Sequence, residues 1–198
     1  MVSFFHQDWR LNANSEAEAV AGQFVEELKP EAVLLVRRDA RMLHERLSAE
    51  RITTLWSGCV ENGERFFLNS RLTDGAEWVR QVIEVCDAWL LRHPHAATLS
   101  EADRYEGREL DGRVRNTITE FADWFDRDMV QALAECVDRC TPDLAFRLLL
   151  QALPTASVAA SPHYRDLSRE QYARLASLGR EFRYGEYVVS DVEHLAHA

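Results

Sequence analysis

The sequence predicts a mainly α protein: a multi-helix bundle of about seven to nine helices with at most minor strand content. Three observations predict it. Apolar residues recur three and four positions apart along most of the chain, the spacing that builds one face of a helix. Residues that cap helix starts precede these runs, and Gly or Pro follows several of them. Only two short stretches, around 65–68 and 182–189, look extended.

The first helix starts at Ser15, an N-cap candidate whose capping box Glu18 completes. Its face is Val20, Phe24, Val25 and Leu28, and it ends at Lys29-Pro30. Pro30 suits the first turn of a second helix, along which Val33, Leu34, Val36, Ala40, Leu43 and Leu47 recur. Ser48 caps a third through Ile52, Leu55 and Trp56, and Gly58 reads as its end. Across 59–72, Asn62-Gly63 signals a turn and Arg65-Phe66-Phe67-Leu68 a short strand or extended loop. Asp74 caps a long helix bearing Trp78, Val79, Val82, Ile83, Val85, Cys86, Trp89 and Leu90, closed by His93-Pro94-His95.

Residues 94–112 are polar and poor in large apolar side chains, so they read as a linker or long surface connection between a helical domain at 1–93 and a second helical region at 113–198, separate from the first or packed with it. In that second region Val114, Ile118, Phe121, Ala122 and Phe125 mark one helix, with Phe121 and Phe125 on its core face. Met129 to Val137 and Leu144 to Leu153 mark two more, the latter opened by Thr141-Pro142-Asp143. Residues 154–162 read as a loop. Ser168 to Gln171 starts a helix with Tyr172, Leu175 and Leu178, ended by Gly179; a partly alternating tail from Phe182 to Val189 reads as a strand before a terminal helix through Val192 and Leu195. There is no convincing internal repeat.

The chain has 198 residues and a net charge of −10 from 33 acidic and 23 basic side chains. That balance repels phosphates, which argues against nucleic acid or an anionic membrane as direct partner, and suits a basic protein, whose approach the field accelerates. Charge alone decides nothing, since many proteins are acidic for solubility. The start carries no basic segment followed by an apolar run, and the densest apolar stretch, Ala32 to Val36, is too short to span a bilayer. Cys59, Cys86, Cys136 and Cys140 form no Cys-x-x-Cys pair and read as reduced, buried thiols of a cytoplasmic protein. Cys136 and Cys140 share a helix face, but zinc needs two further ligands nearby.

The search for chemistry starts with histidines. Asp191, His194 and His197 have helical spacing, which polar chain-end residues explain as well. His93 and His95 follow a helix end, where a cation favours the dipole. His44-Glu45 lacks the second histidine of a zinc-protease helix. Ser157 and Ser161 have no nucleophile-elbow glycines, and there is no Gly-rich phosphate loop. The expectation is therefore a non-enzyme without cofactor or metal.

The segment 120–143 stands out. Glu120, Asp123, Asp126, Asp128, Glu135, Asp138 and Asp143 face only Arg127 and Arg139, with Phe121, Trp124 and Phe125 interleaved. An exposed aromatic ringed by carboxylates makes a hot spot for a basic partner, so Glu120, Asp123, Trp124, Asp126 and Asp128 are the partner-binding candidates. A solvated helix face over a buried Trp124 is the plainer alternative and is preferred.

One run resembles a known family. Phe5-His6-Gln7-Asp8-Trp9, Ser15-Glu16-Ala17-Glu18, Phe24 and Leu43-His44-Glu45-Arg46-Leu47 resemble the start of the immunity proteins of contact-dependent growth inhibition and related polymorphic toxin systems. Leu55 through Gly58 and Trp78-Val79-Arg80 match later parts of the pattern in order, so the resemblance spans about residues 4–92. His-Gln-Asp-Trp is its specific element. Ala17 stands where the family has Pro, the chain is about twice the usual length, and the acidic segment lies outside the match. The resemblance implies an all-α immunity protein that neutralises a cognate toxin, commonly basic and often a nuclease, by occluding its active surface. Phe5, His6, Gln7, Asp8 and Trp9 would be structural first, pinning the terminus by hydrogen bonds around a buried ring. A helical adaptor of another bacterial system is the alternative, and a metal-dependent hydrolase the third. No direct nucleic-acid or membrane contact is expected.

Overall fold

The computed structural model describes residues 13, 15–24, 29–60, 63–93, 98–159 and 164–196. Among the described residues the protein is mainly α, about 77% helical, with eight helices of seven or more residues. Among the described residues the only β-type pairing is an isolated parallel bridge between Leu167 and Ala196. The chain divides into two compact units, residues 1–104 and 105–198.

The first unit holds α1 (Glu16–Ala21), α2 (Pro30–Arg46), α3 (Ala49–Cys59), α4 (Gly63–Asn69), α5 (Gly75–Arg92) and α6 (Glu101–Arg104). Its starts follow from local chemistry. The Ser15 hydroxyl accepts the Glu18 N–H at 3.1 Å, Ser48 that of Arg51 at 3.3 Å and Asp74 that of Glu77 at 2.9 Å. Each such cap stabilises a helix by ~1 kcal/mol. Pro30 occupies the first turn of α2, where its missing N–H has no intrahelical duty. α5 is the hub, packed by α1, α2 and α3. Val33, Ala40, Leu55, Trp78, Val82, Cys86 and Trp89 are buried around it.

The second unit holds α7 (Asp111–Glu120), α8 (Arg127–Arg139), α9 (Pro142–Ala159), α10 (Arg169–Glu181) and α11 (Glu186–Ser190), with single 3-10 turns at Arg108–Leu110, Ala122–Trp124 and Glu193–Leu195. α9 is its centre: Leu144, Phe146, Leu149, Leu150 and Leu153 are buried, with α7 and α8 against it. Ser168 and Gln171 form a reciprocal capping box at α10.

Several expectations need correcting. α1 ends at Ala21 with a turn at Gly22, rather than continuing to Leu28; Phe24 is still buried, and 25–28 lie outside the described residues. α3 runs through Gly58 to Cys59. Residues 65–68 are helical, in α4: Phe66 is buried against Trp56 and Trp78 while Leu68 is 82% exposed, a one-sided pattern too short to tell from a strand by spacing alone. Gly63 enters this helix so close to α3 that a Cβ would stand 2.1 Å from the Ser57 carbonyl oxygen.

α9 continues through Pro154 to Ala159. Pro154 removes one hydrogen bond, but its last turn is anchored by the buried Ser157, which donates to the Arg165 carbonyl at 2.6 Å. Gly179 lies inside α10, buried, and a Cβ there would stand 2.4 Å from a Val189 methyl, so it permits close packing rather than ending the helix. The tail 182–189 is no strand. The Tyr184 N–H bonds back to the Gly179 carbonyl at 3.0 Å, Arg183 takes the left-handed conformation (φ 58°) that closes this helix end, and α11 follows.

The expected connection at 94–112 contains α6, a 3-10 turn and the buried Leu110. Among the described residues no helix is long and apolar enough to cross a membrane.

Candidate functional site

The acidic segment is not one surface. α7 stops at Glu120, and the chain turns through a 3-10 segment before Asp126 opens α8. Phe121 and Phe125 therefore do not share a helix face: Phe121 is fully buried and Phe125 half-buried. Trp124 is half-buried rather than buried, its ring edge-on to Phe121 at 5.6 Å and 89°.

Most of the carboxylates have work inside the second unit. Both Glu120 oxygens accept from the Arg174 guanidinium of α10, at 2.5 and 3.2 Å, and this ion pair raises the Arg174 pKa. Asp126 is the α8 N-cap, accepting the Met129 N–H at 2.7 Å. Glu135 accepts from Gln131 at 3.3 Å. Asp138 and Asp111 both hold Arg115, whose pKa rises first from the Asp111 bond. Asp143 is 7% exposed; one oxygen takes the Tyr184 hydroxyl at 2.7 Å and the other Arg147 at 2.8 Å. Burial first, then the Asp143 charge, drives the Tyr184 phenol far above its usual range, so it stays a donor.

A short turn faces outward. Asp123 and Asp128 are exposed, Asp126 presents its exposed side, and Trp124 lies between them. Arg165 grips the Asp123 backbone carbonyl. The turn is thus held from three directions: by Phe121 in the core, by the Asp126 cap and by Arg165. The five residues singled out by composition are brought together only in part, because Glu120 is bound to Arg174 while Asp123, Trp124 and Asp126 share the turn and Asp128 follows in the first turn of α8. Sequence reading missed Arg165 and the Asp143–Tyr184–Arg147 cluster; these contacts span 42 and 41 positions for Arg165 and Tyr184, and no local spacing announces them.

His93 and the cysteines have structural places. His93 stacks on Trp89 at 3.8 Å, with Nδ1 2.8 Å from the Trp89 carbonyl oxygen. His44, Asp191 and His194 are exposed. All four cysteines are buried, and burial pushes the Cys59 thiol up to about 12, as burial does first for Cys86. Phe5, His6, Gln7, Asp8, Trp9, His95, Ser161 and His197 lie outside the described residues. Among the described residues no group of three His, Cys, Asp or Glu side chains is placed to hold a metal ion. Neither protein-family models nor curated proteins nor solved structures contain a match to this chain.

Proposed function

We propose that this chain is an immunity-type protein of the cytoplasm that binds a cognate basic toxin domain, a nuclease being the leading class, and neutralises it by covering its active surface. The observation that carries the proposal is the turn at 123–126 running into the start of α8: an aromatic side chain beside the carboxylates of Asp123, Asp126 and Asp128, with Arg127 among them, fixed at both ends. A prefixed turn loses little conformational freedom on binding, which raises affinity without adding contacts. Its charge, within a chain of net charge −10, accelerates encounter with a basic surface. Neutralisation by occlusion breaks no bond, so it asks for complementarity rather than for a nucleophile or a base. The resemblance of residues 4–92 to immunity proteins points the same way.

The test is coexpression with the toxin domain encoded beside the gene. Growth should be rescued and the two proteins should co-purify. Continued killing with no complex would end the proposal.

A helical adaptor is the second reading, favoured by one observation: the acidic turn lies in the second unit, whereas the immunity-like residues lie in the first. A complex that forms while the toxin stays lethal would favour the adaptor.

A further inference from the structure

Two hydrogen bonds join three parts of the second unit at one corner. Ser157, in the last turn of α9, donates to the Arg165 carbonyl at 2.6 Å, and the Arg165 guanidinium donates to the Asp123 carbonyl. The chain neighbours of the tied residues are Val158, Tyr164 and Trp124. Val158 is 54% exposed and Tyr164 64% exposed, two of the four large apolar side chains that stand out most on the described surface, and Trp124, next to the tied Asp123, is half-buried. The other two, Leu68 and Leu91, belong to the first unit. The two bonds thus bring the chain at Val158 and Tyr164 to the corner that holds the acidic turn, from a segment more than thirty positions away in sequence.

We infer that Trp124, Val158 and Tyr164 form the docking centre of this chain, with Asp123 and Asp126 as its rim, for a folded protein presenting lysine and arginine side chains. This inference rests on the neutralising role proposed above and locates it. Apolar groups clustered at a surface beside charged ones mark interaction sites, and tyrosine and tryptophan are the residues that dominate such centres. The faces of both rings attract cations, and the adjoining carboxylates receive the same charge. Arg165 keeps its positive charge while its guanidinium clamps the Asp123 carbonyl and sets the corner's shape, and the exposed carboxylates of Asp123, Asp126 and Asp128 outnumber it and Arg127. A nucleic acid would be repelled by the net charge, and a second copy of this chain would bring another −10.

The experiment uses the full chain and, as probe, the purified toxin domain encoded by the adjacent reading frame, with binding kinetics followed by biolayer interferometry. Tyr164→Ala and Val158→Asp alter exposed positions, so their folding is checked simply by helical circular dichroism and melting temperature. The Tyr164→Ala/Val158→Asp double variant should bind at least about tenfold more weakly, mainly through faster dissociation. Asp123→Lys should slow association several-fold and flatten its dependence on salt. Leu91→Ser, on the first unit, should leave both rates unchanged. Folded corner variants that bind like the parent would overturn the inference while leaving the neutralising role standing. Failure of the parent itself to bind the probe would remove both. A parent that is dimeric in light scattering, and is rendered monomeric by the double variant, would assign the corner to a second copy and overturn the inference as well.

Discussion

The two units reach the same all-α class by different physical means. The first closes its core with large rings: Trp56 and Trp78 lie 5.1 Å apart, and Phe66 stands 5.4 and 5.6 Å from them. Further along α5, the Trp89 indole donates to the Phe24 carbonyl at 3.0 Å. The second unit buries a mostly aliphatic helix, α9, but one end of it carries a carboxylate into the interior. There Asp143 is satisfied by Tyr184 and Arg147, and the Tyr184 ring stacks on Phe146 and Phe182 at 6.1 and 5.3 Å. Shape holds the first core. In the second, shape is joined by a polar contract that fails if any member leaves.

The largest effect should come from the ring cluster. Trp78 is fully buried, and Trp78→Ala removes more volume than α3, α4 and α5 can collapse to fill. A loss of ~3–5 kcal/mol is expected, read as a fall in the urea midpoint. Trp78→Phe keeps much of the volume and should lose less than half as much. A Trp78→Ala protein within about 1 kcal/mol of the parent would show that the rings fill space without holding the unit together.

In the second unit the sharper probe is a single oxygen. Tyr184→Phe keeps the ring stack and deletes only the hydroxyl that meets Asp143, so the loss isolates the polar part. About 1–3 kcal/mol is expected, because a buried carboxylate oxygen loses a partner. A double-mutant cycle with Asp143→Asn should return a coupling of ~0.5–3 kcal/mol. Additive losses would mean that the two groups do not cooperate, and the contrast between the units would shrink to one of side-chain size.

Helices were legible from sequence wherever a cap and a sustained apolar period agreed, as at Ser48, Asp74 and Ser168. Legibility failed where tertiary contact overrode the local signal. Residues 65–68 look extended because a seven-residue helix shows its period only about twice. Pro154 and Gly179 read as stops, yet each sits within a helix, held by Ser157 in one case and by the approach of Val189 in the other. The candidate site was half legible. Composition singled out the segment around Trp124, but composition cannot say which charges are already paired. Arg174 neutralises Glu120 from 54 positions away, and Tyr184 and Arg147 hold Asp143 inside. Tyr164 and Val158 gave no signal at all, since an exposed apolar residue has meaning only through its neighbours in space.

The smallest expected effect tests the caps on which the first unit's helices begin. Glu77 reaches back from the first turn of α5 to accept both the N–H and the hydroxyl of Thr73, at 2.7 and 2.8 Å. These bonds, led by the backbone one, hold its pKa below the ordinary glutamate range. The carboxylate is therefore better stabilised in the folded chain than in the unfolded one. Its contribution is complete above the ordinary glutamate pKa and disappears as pH falls through the depressed native value. Because the group is solvent-exposed, the effect is modest and salt reduces it. Melting curves of Glu77→Gln should lie slightly below the parent at pH 7 and merge with it in strong acid. A gap that stays constant across that range would show that Gln fails on geometry rather than charge, and would move the cap from electrostatics to shape, making the first unit's edges obey the same rule as its core.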